Sequence, residues 1–152
     1  MSTPPPVTPA IAQYNAYLVD LGNIGSRYAT ANGFYLCVVA AVLGILSLMK
    51  PGEGLSDLQT ILRLTVPVFG VGLCFVWRQT VVFYSALFAT KFDVLREMEA
   101  SASLFPTYTR ELALFKGPRW LLNNEARIPL FLSLPFVVVF LHTLWSLACR
   151  TA

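Results

Sequence analysis

The sequence predicts an all-α integral membrane protein with three transmembrane helices, the second of which extends into a cytoplasmic helical region. The 152 residues are 56% hydrophobic and only 12% charged, whereas soluble domains carry about 25% charged residues. Three long apolar runs alternate with polar segments. After the second run, neither Pro nor Gly interrupts residues 79–100, so nothing there stops a helix. A lipid-facing exterior accounts for this much apolar surface.

The N-terminal region divides into a tail and an amphipathic helix. Residues 1–10 are Pro-rich and lack Lys and Arg, which predicts a disordered tail rather than a signal peptide. Residues 11–30 repeat apolar and aromatic side chains at three- and four-residue steps, as amphipathic helices do. Two interpretations remain open. The helix lies at the headgroup level, where Tyr is favoured, or it is the first helix of a cytosolic bundle.

The first predicted span covers residues 33–49 and contains no charged residue before Lys50. At 1.5 Å per residue it measures about 26 Å, near the short limit for crossing a bilayer. Small residues at four-residue spacing allow close helix approach. The residues expected to mediate helix packing are Gly33, Cys37, Ala41 and Gly44, with Gly70 and Cys74 in the second span.

Residues 50–58 form the predicted outer hairpin, since Lys50-Pro51-Gly52 ends a helix. The second span, residues 59–77, is long enough to cross if Arg63 extends its charge toward the near interface. The helix then continues into the region 78–127. The third span, residues 128–149, has no Lys, Arg, Asp or Glu.

Charge distribution gives the orientation. Lys and Arg concentrate between the second and third spans, with a single Lys in the hairpin between the first and second. Because Lys and Arg accumulate on the cytoplasmic side, we expect residues 78–127 and the N-terminus inside, and the hairpin outside. The basic residues are scattered among acids, so nucleic acid is not an expected partner.

A spaced pattern begins at Trp77 and continues through K-F-x-V-L, residues 91–95, to Glu99. Later, Glu125 and Ile128-Pro129 form an E-x2-I-P element. Together these resemble the RipA-like octameric membrane proteins of bacteria. The resemblance implies an inner-membrane location, a homo-octamer, and a cytoplasmic part made largely by the extended second helix. It implies no catalytic residues.

An apolar stripe runs along the extension of the second helix. If exposed to water it would be a large apolar patch, which monomers rarely tolerate, so we expect neighbouring subunits to cover it. Lys91 on this stripe is either part of a solvated face or paired with Glu99 or Glu111 of a neighbouring chain. The predicted oligomer interface comprises Val81, Tyr84, Phe88, Lys91, Phe92, Leu95, Met98 and Glu99.

His142, the only histidine, lies inside the third span. Ionisable residues within a membrane often mark functional sites, but this span offers no second titratable group for a proton relay. We therefore favour a packing role, with hydrogen bonds shared with Thr143 and Ser146 across helices.

No nucleotide-binding, metalloprotease or hydrolase motif occurs, and the three cysteines form no C-x-x-C pair. We expect no enzyme activity, no cofactor and no metal. The predicted function is a homo-oligomeric inner-membrane scaffold that contacts lipid and organises the membrane or its partners. The alternative is a pore or small transporter formed by the oligomer.

Overall fold

The computed structural model describes residues 9–48, 57–101, 106–114 and 124–151. In this part of the chain four α-helices follow one another, with one 3₁₀ turn. They are α1 (Pro9–Leu48), α2 (Asp57–Ser101), α3 (Thr107–Leu114), the 3₁₀ turn (Glu125–Arg127) and α4 (Ile128–Thr151). The predicted tail, apart from Pro9 and Ala10, and the predicted hairpin, apart from residues 57–58, lie outside the described residues.

Helix α1 joins the predicted amphipathic helix to the first predicted span without a break. No Pro occurs between residues 10 and 48, and an isolated Gly costs a helix only about 1 kcal/mol. The first half of α1 contacts α2 through hydrogen bonds from Tyr14 and Tyr17. The first half of α1 is therefore packed in a helix bundle, and its position relative to the lipid headgroups stays a prediction.

Helix α2 passes Arg78 and continues to Ser101, as predicted. At 1.5 Å per residue, α1 and α2 are about 60 and 68 Å long, twice the thickness of a bilayer's hydrocarbon core. About half of each helix must therefore extend beyond the membrane. We call these halves, residues 9–32 and 78–101, together with α3 and the 3₁₀ turn, the polar end.

Helix α2 lies between α1 and α4 and packs against both. Its buried positions alternate at three- and four-residue steps, the spacing of left-handed helix pairs. These positions are Pro67, Gly70, Cys74, Trp77 and Val81. On α4, Pro129, Phe136 and Thr143 recur every seven residues and are buried. Both neighbours run antiparallel to α2.

Three helices of the described chain are long and apolar enough to cross a membrane, and they are α1, α2 from Gln59 onward, and the segment Glu125–Cys149. The fold class predicted from the sequence is confirmed in this respect. Helix α4 begins at the predicted residue, Ile128, and remains helical through Pro135.

The residues predicted to mediate helix packing divide into two groups. Gly70 and Cys74 are buried between α2 and its neighbours, and the ring of Phe136 lies directly over Gly70. In contrast, the four small residues of α1 face away from α2 and are exposed. These four residues do not pack against α2, because α1 turns its larger residues toward that helix, and their contact with another helix stays a prediction.

We predict that Gly70→Ala destabilises the fold by about 1–3 kcal/mol, the usual effect of overpacking. A Cβ at Gly70 would lie 2.5 Å from the Phe136 ring. The matched control is Gly72→Ala on the same helix, where a Cβ meets nothing within 4 Å. Thermal unfolding in detergent measures both variants, and equal melting temperatures would contradict this packing.

Candidate functional site

The polar end is held together by hydrogen bonds centred on Glu99. This carboxylate is only 4% exposed and lies near the end of α2. The backbone amides of Tyr108 and Thr109 donate to it at 2.8 and 3.2 Å, and the Thr109 hydroxyl donates at 2.8 Å. From α1, the Tyr14 hydroxyl donates at 3.1 Å. Glu99 therefore connects α1, α2 and α3.

The two amides belong to the first turn of α3, where backbone N–H groups have no partner within the helix. Glu99 satisfies them as an N-cap side chain does, although it comes from another helix. A negative charge there also interacts favourably with the helix dipole. The short helix α3 is thus fixed in place by a residue outside it.

Burial alone would raise the pKa of Glu99, but the hydrogen bonds from Tyr108, Thr109 and Tyr14 outweigh burial and hold the pKa below its ordinary value. A carboxyl group with a lowered pKa stabilises the folded state above the unfolded pKa of about 4.3. This stabilisation is lost as the pH falls through the folded pKa.

Lys91 is bound within its own chain. Its ammonium group forms an ion pair with Asp20 of α1 and lies 4.6 Å from the centre of the Tyr17 ring. The hydrogen bond to Asp20 raises the pKa of Lys91 above its ordinary value. Lys91 therefore has an acidic partner in its own chain, and the predicted pairing with Glu99 or Glu111 of a neighbouring chain stays a prediction. The sequence interpretation had not placed α1 beside this part of α2.

Much of the predicted oligomer interface is likewise covered by other residues of the same chain. Val81 and Leu95 are 2% and 1% exposed within a single chain, so they cannot contact a neighbouring subunit. The Tyr28 ring of α1 packs on Tyr84 and Phe88, with centroids 5.2 and 6.0 Å apart. The remaining members, Lys91, Phe92 and Met98, are partly buried. The stripe is mainly an intrachain contact.

Where the polar end meets the apolar spans, α1 is hydrogen-bonded to the 3₁₀ turn and to α2. The Tyr28 hydroxyl donates to Glu125 at 2.6 Å, and the Trp77 indole donates to the Asn32 side chain at 2.8 Å. Next to these bonds lies a cavity of about 320 Å³. Its lining residues are Tyr28, Asn32, Gly33, Leu36, Trp77, Val81, Glu125 and Ile128.

This cavity has polar groups at one side and apolar groups at the other. Its polar groups already satisfy one another, since Glu125 accepts from Tyr28 and Asn32 accepts from Trp77. Among the described residues, no group of three His, Cys, Asp or Glu side chains is placed to hold a metal ion. The arrangement is suited to joining helices at the membrane border.

The packing role suggested for His142 stays a prediction, and within one chain Thr143 and Ser146 do not supply the hydrogen bonds that it was expected to share. The hydroxyls of Thr143 and Ser146 donate to the carbonyls of Val139 and His142 in their own helix, because a helical Ser or Thr reaches the carbonyl one turn back. His142 itself is exposed on the outer face of α4.

Comparison with known protein families decides the assignment. The sequence profile of the octameric membrane protein family, 8xMP, matches residues 11–145. The chain belongs to this family. No curated protein and no solved structure matches the chain. The match includes nearly all of the three membrane-spanning helices and the polar end.

The 8xMP assignment agrees with the resemblance noted in the sequence, and the structure gives several of the resembling residues a physical role. Trp77 bonds α2 to α1, Glu99 caps α3, and Glu125 accepts the Tyr28 hydroxyl. Pro129 is buried against α2. The partners of Trp77, Glu99 and Glu125, which are Asn32, Tyr14 and Tyr28, were missed as functional residues, as was Asp20, the partner of Lys91. Only Tyr14 and Tyr28 had been marked by their spacing as members of one helical face.

We predict that Glu99→Gln releases α3 in this 8xMP chain. Hydrogen bonds to charged groups contribute about 1.5–3 kcal/mol, so amide exchange at residues 107–114 should accelerate roughly 10- to 100-fold. Hydrogen exchange with mass spectrometry measures this. In the unmodified chain the same acceleration should appear only as the pH falls through the lowered pKa, and Glu99→Gln should remove this pH dependence.

The matched control is Glu97→Gln, an exposed position two residues earlier on α2. It should leave exchange in α3 unchanged. If the two variants protect α3 equally, Glu99 does not fix this helix.

Proposed function

We propose that the chain is a non-enzymatic homo-oligomeric scaffold of the bacterial inner membrane, with the polar end as a rigid cytoplasmic platform for partners or lipid. The proposal rests on the contacts that the charged side chains of the polar end make. Glu99, Lys91 and Glu125, which catalysis could have employed, each bind another part of the same chain.

The platform is rigid because α1, α2 and α3 are joined at several heights. The Glu99 bonds lie at the far end, the Lys91–Asp20 pair lies in the middle, and the Tyr28–Glu125 bond lies at the membrane border. Residues 78–101 of α2 reach about 36 Å from that border. A fixed projection of this length suits a docking platform better than a mobile lid.

The arrangement of the carboxylates argues against catalysis. A general acid or base must reach the proton that it transfers. Both oxygens of Glu99 accept hydrogen bonds, and Glu125 accepts the Tyr28 hydroxyl. A substrate at either group would first have to break these contacts.

The alternative is a pore, and His142 is the observation that favours it. A ring of identical subunits encloses an axis, and a polar ring on a span could line a pathway. Yet His142 is flanked on the exposed surface of α4 by Val138, Leu141 and Trp145. A single polar level between apolar ones is a poor conduction pathway, so we favour the scaffold.

Ion flux in liposomes separates the two functions. We expect the reconstituted protein to conduct no more than empty liposomes, because the exposed surface of the described spans is mostly apolar. Selective flux that is lost in His142→Ala would establish the pore and refute the scaffold. If the unmodified protein and His142→Ala both conduct only as much as empty liposomes, the flux is leakage through the lipid. That result meets the expectation.

Membrane orientation provides a further prediction. After replacement of the native cysteines, a cysteine at Gly54 should react with an impermeant thiol reagent added to intact cells, and a cysteine at Ser101 should not. The Lys and Arg content of residues 78–127 favours this orientation. Labelling at Ser101 but not at Gly54 would place the platform on the opposite side.

A further inference from the structure

His142 lies at a depth where lipid cannot satisfy its ring nitrogens. Ile128 lines the cavity at the membrane border, and His142 follows 14 residues later in the same helix, about 21 Å into a hydrocarbon core of about 30 Å. The residue is exposed on α4. Polar residues within a membrane normally face protein or water rather than lipid, so this face of α4 requires a partner.

His142 belongs to a continuous exposed seam on α4, which we call the α4 seam. Its members recur at four- and three-residue steps and point away from α2, opposite to the buried Phe136. They include large side chains, with Trp145 73% exposed. The α4 seam consists of Phe131, Pro135, Val138, His142, Trp145 and Cys149.

A complementary seam runs along α1, and we call it the α1 seam. Its members recur at the same steps, are all exposed and are all small. A Cβ added at Gly33 or Gly44 would meet nothing within 4 Å, so this face is an open groove in the single chain. The α1 seam consists of Gly33, Cys37, Ala40, Gly44 and Ser47.

The two seams match in direction and in height. Both α1 and α4 are antiparallel to α2 and therefore parallel to each other. Gly33 and Ile128 line the same cavity and so lie at similar heights. Ser47 and His142 each follow these residues by 14 positions, which places the polar residues of the two seams at similar depths.

We propose that the α4 seam of one subunit packs into the α1 seam of its neighbour, where His142 donates a ring N–H to the Ser47 hydroxyl. The Ser47 hydroxyl donates to the Gly44 carbonyl in its own helix, which leaves its oxygen able to accept. The inference rests on the oligomeric part of the proposed function and adds the faces that meet.

A second copy of this chain is the occupant for two reasons. The chain belongs to a family of octameric membrane proteins, and the two seams are different surfaces, one on α1 and one on α4. A contact between different faces of identical subunits continues from one subunit to the next, and it forms a ring when the rotation between subunits closes, as in an octamer. Small residues facing large ones also permit the close packing that holds membrane helices together.

The first test adds bulk to the α1 seam. Gly44→Leu should fit within the single chain, since nothing lies near its Cβ, but it should fill the groove that the neighbour needs. Native mass spectrometry in nanodiscs should show the octamer of the unmodified protein reduced to monomers. Gly72→Leu on the open face of α2, where a Cβ also meets nothing within 4 Å, should remain octameric.

The second test locates the contact directly. In a background with Cys37 and Cys149 replaced by Ala, the pair Ser47→Cys and His142→Cys in one chain should give, on oxidation, a ladder of covalent multimers. Either variant alone should give none, because the two faces differ. The pair Ser47→Cys and Leu141→Cys, which is displaced around α4 at nearly the same depth, should also give none.

The outcomes distinguish failure of the proposed interface from failure of the proposed oligomeric function. An unmodified protein that is monomeric overturns both. An octamer that survives Gly44→Leu, or that forms no ladder through the Ser47 and His142 pair, overturns the proposed interface alone. A dimer formed by His142→Cys by itself means that α4 seams meet each other. Loss of the octamer in Gly72→Leu but not in Gly44→Leu places the contact on α2, and lipid then covers the two seams.

Discussion

The antiparallel pairing of α1 with α2 is the contact on which the rest of this structure depends. The two helices meet through side chains spaced alternately three and four residues apart, a repeat that keeps one face of each helix turned to the other. A helix that extends about 36 Å beyond the membrane has no lipid to cover its apolar side. Helix α1 covers that side, which stabilises α2 outside the bilayer.

The character of this contact changes along its length. Within the spans it consists of small and aliphatic groups, such as Val39, Val42 and Cys74. At the polar end it consists of tyrosines, which pair an apolar ring with a hydroxyl that can reach a charged or carbonyl oxygen. Tyr14 and Tyr28 donate to carboxylates, and Tyr17 donates to the Lys91 carbonyl. The side chains in this contact are therefore mainly apolar within the spans, and at the polar end they include hydroxyl groups whose hydrogen bonds are formed.

This division explains why the recognisable residues of the family lie where they do. Glu99, Lys91 and Glu125 are charged residues at contacts between elements, and removal of one partner would leave the other with an unmet hydrogen bond or charge. Within the chain they join α1 to α2 and to the 3₁₀ turn, and α2 to α3. Faces that carry no such bonds, on the outer sides of α1 and α4, remain free for assembly.

The sequence by itself determined the three apolar runs, the uninterrupted extension of α2 and the start of α4 at Ile128, because hydrophobicity and the absence of helix breakers are local properties. Membership in the octameric family could also be inferred from spaced residues in the chain. The sequence showed that α2 carries an apolar stripe with a lysine in it, but the partner of that stripe was assigned to another subunit. Only the tertiary structure placed α1 over it, joined Asp20 to Lys91 and turned Gly33, Cys37, Ala41 and Gly44 outward. The physical reason is that periodicity shows which face of a helix is to be covered, whereas the choice between two possible covers depends on packing between residues far apart in the chain.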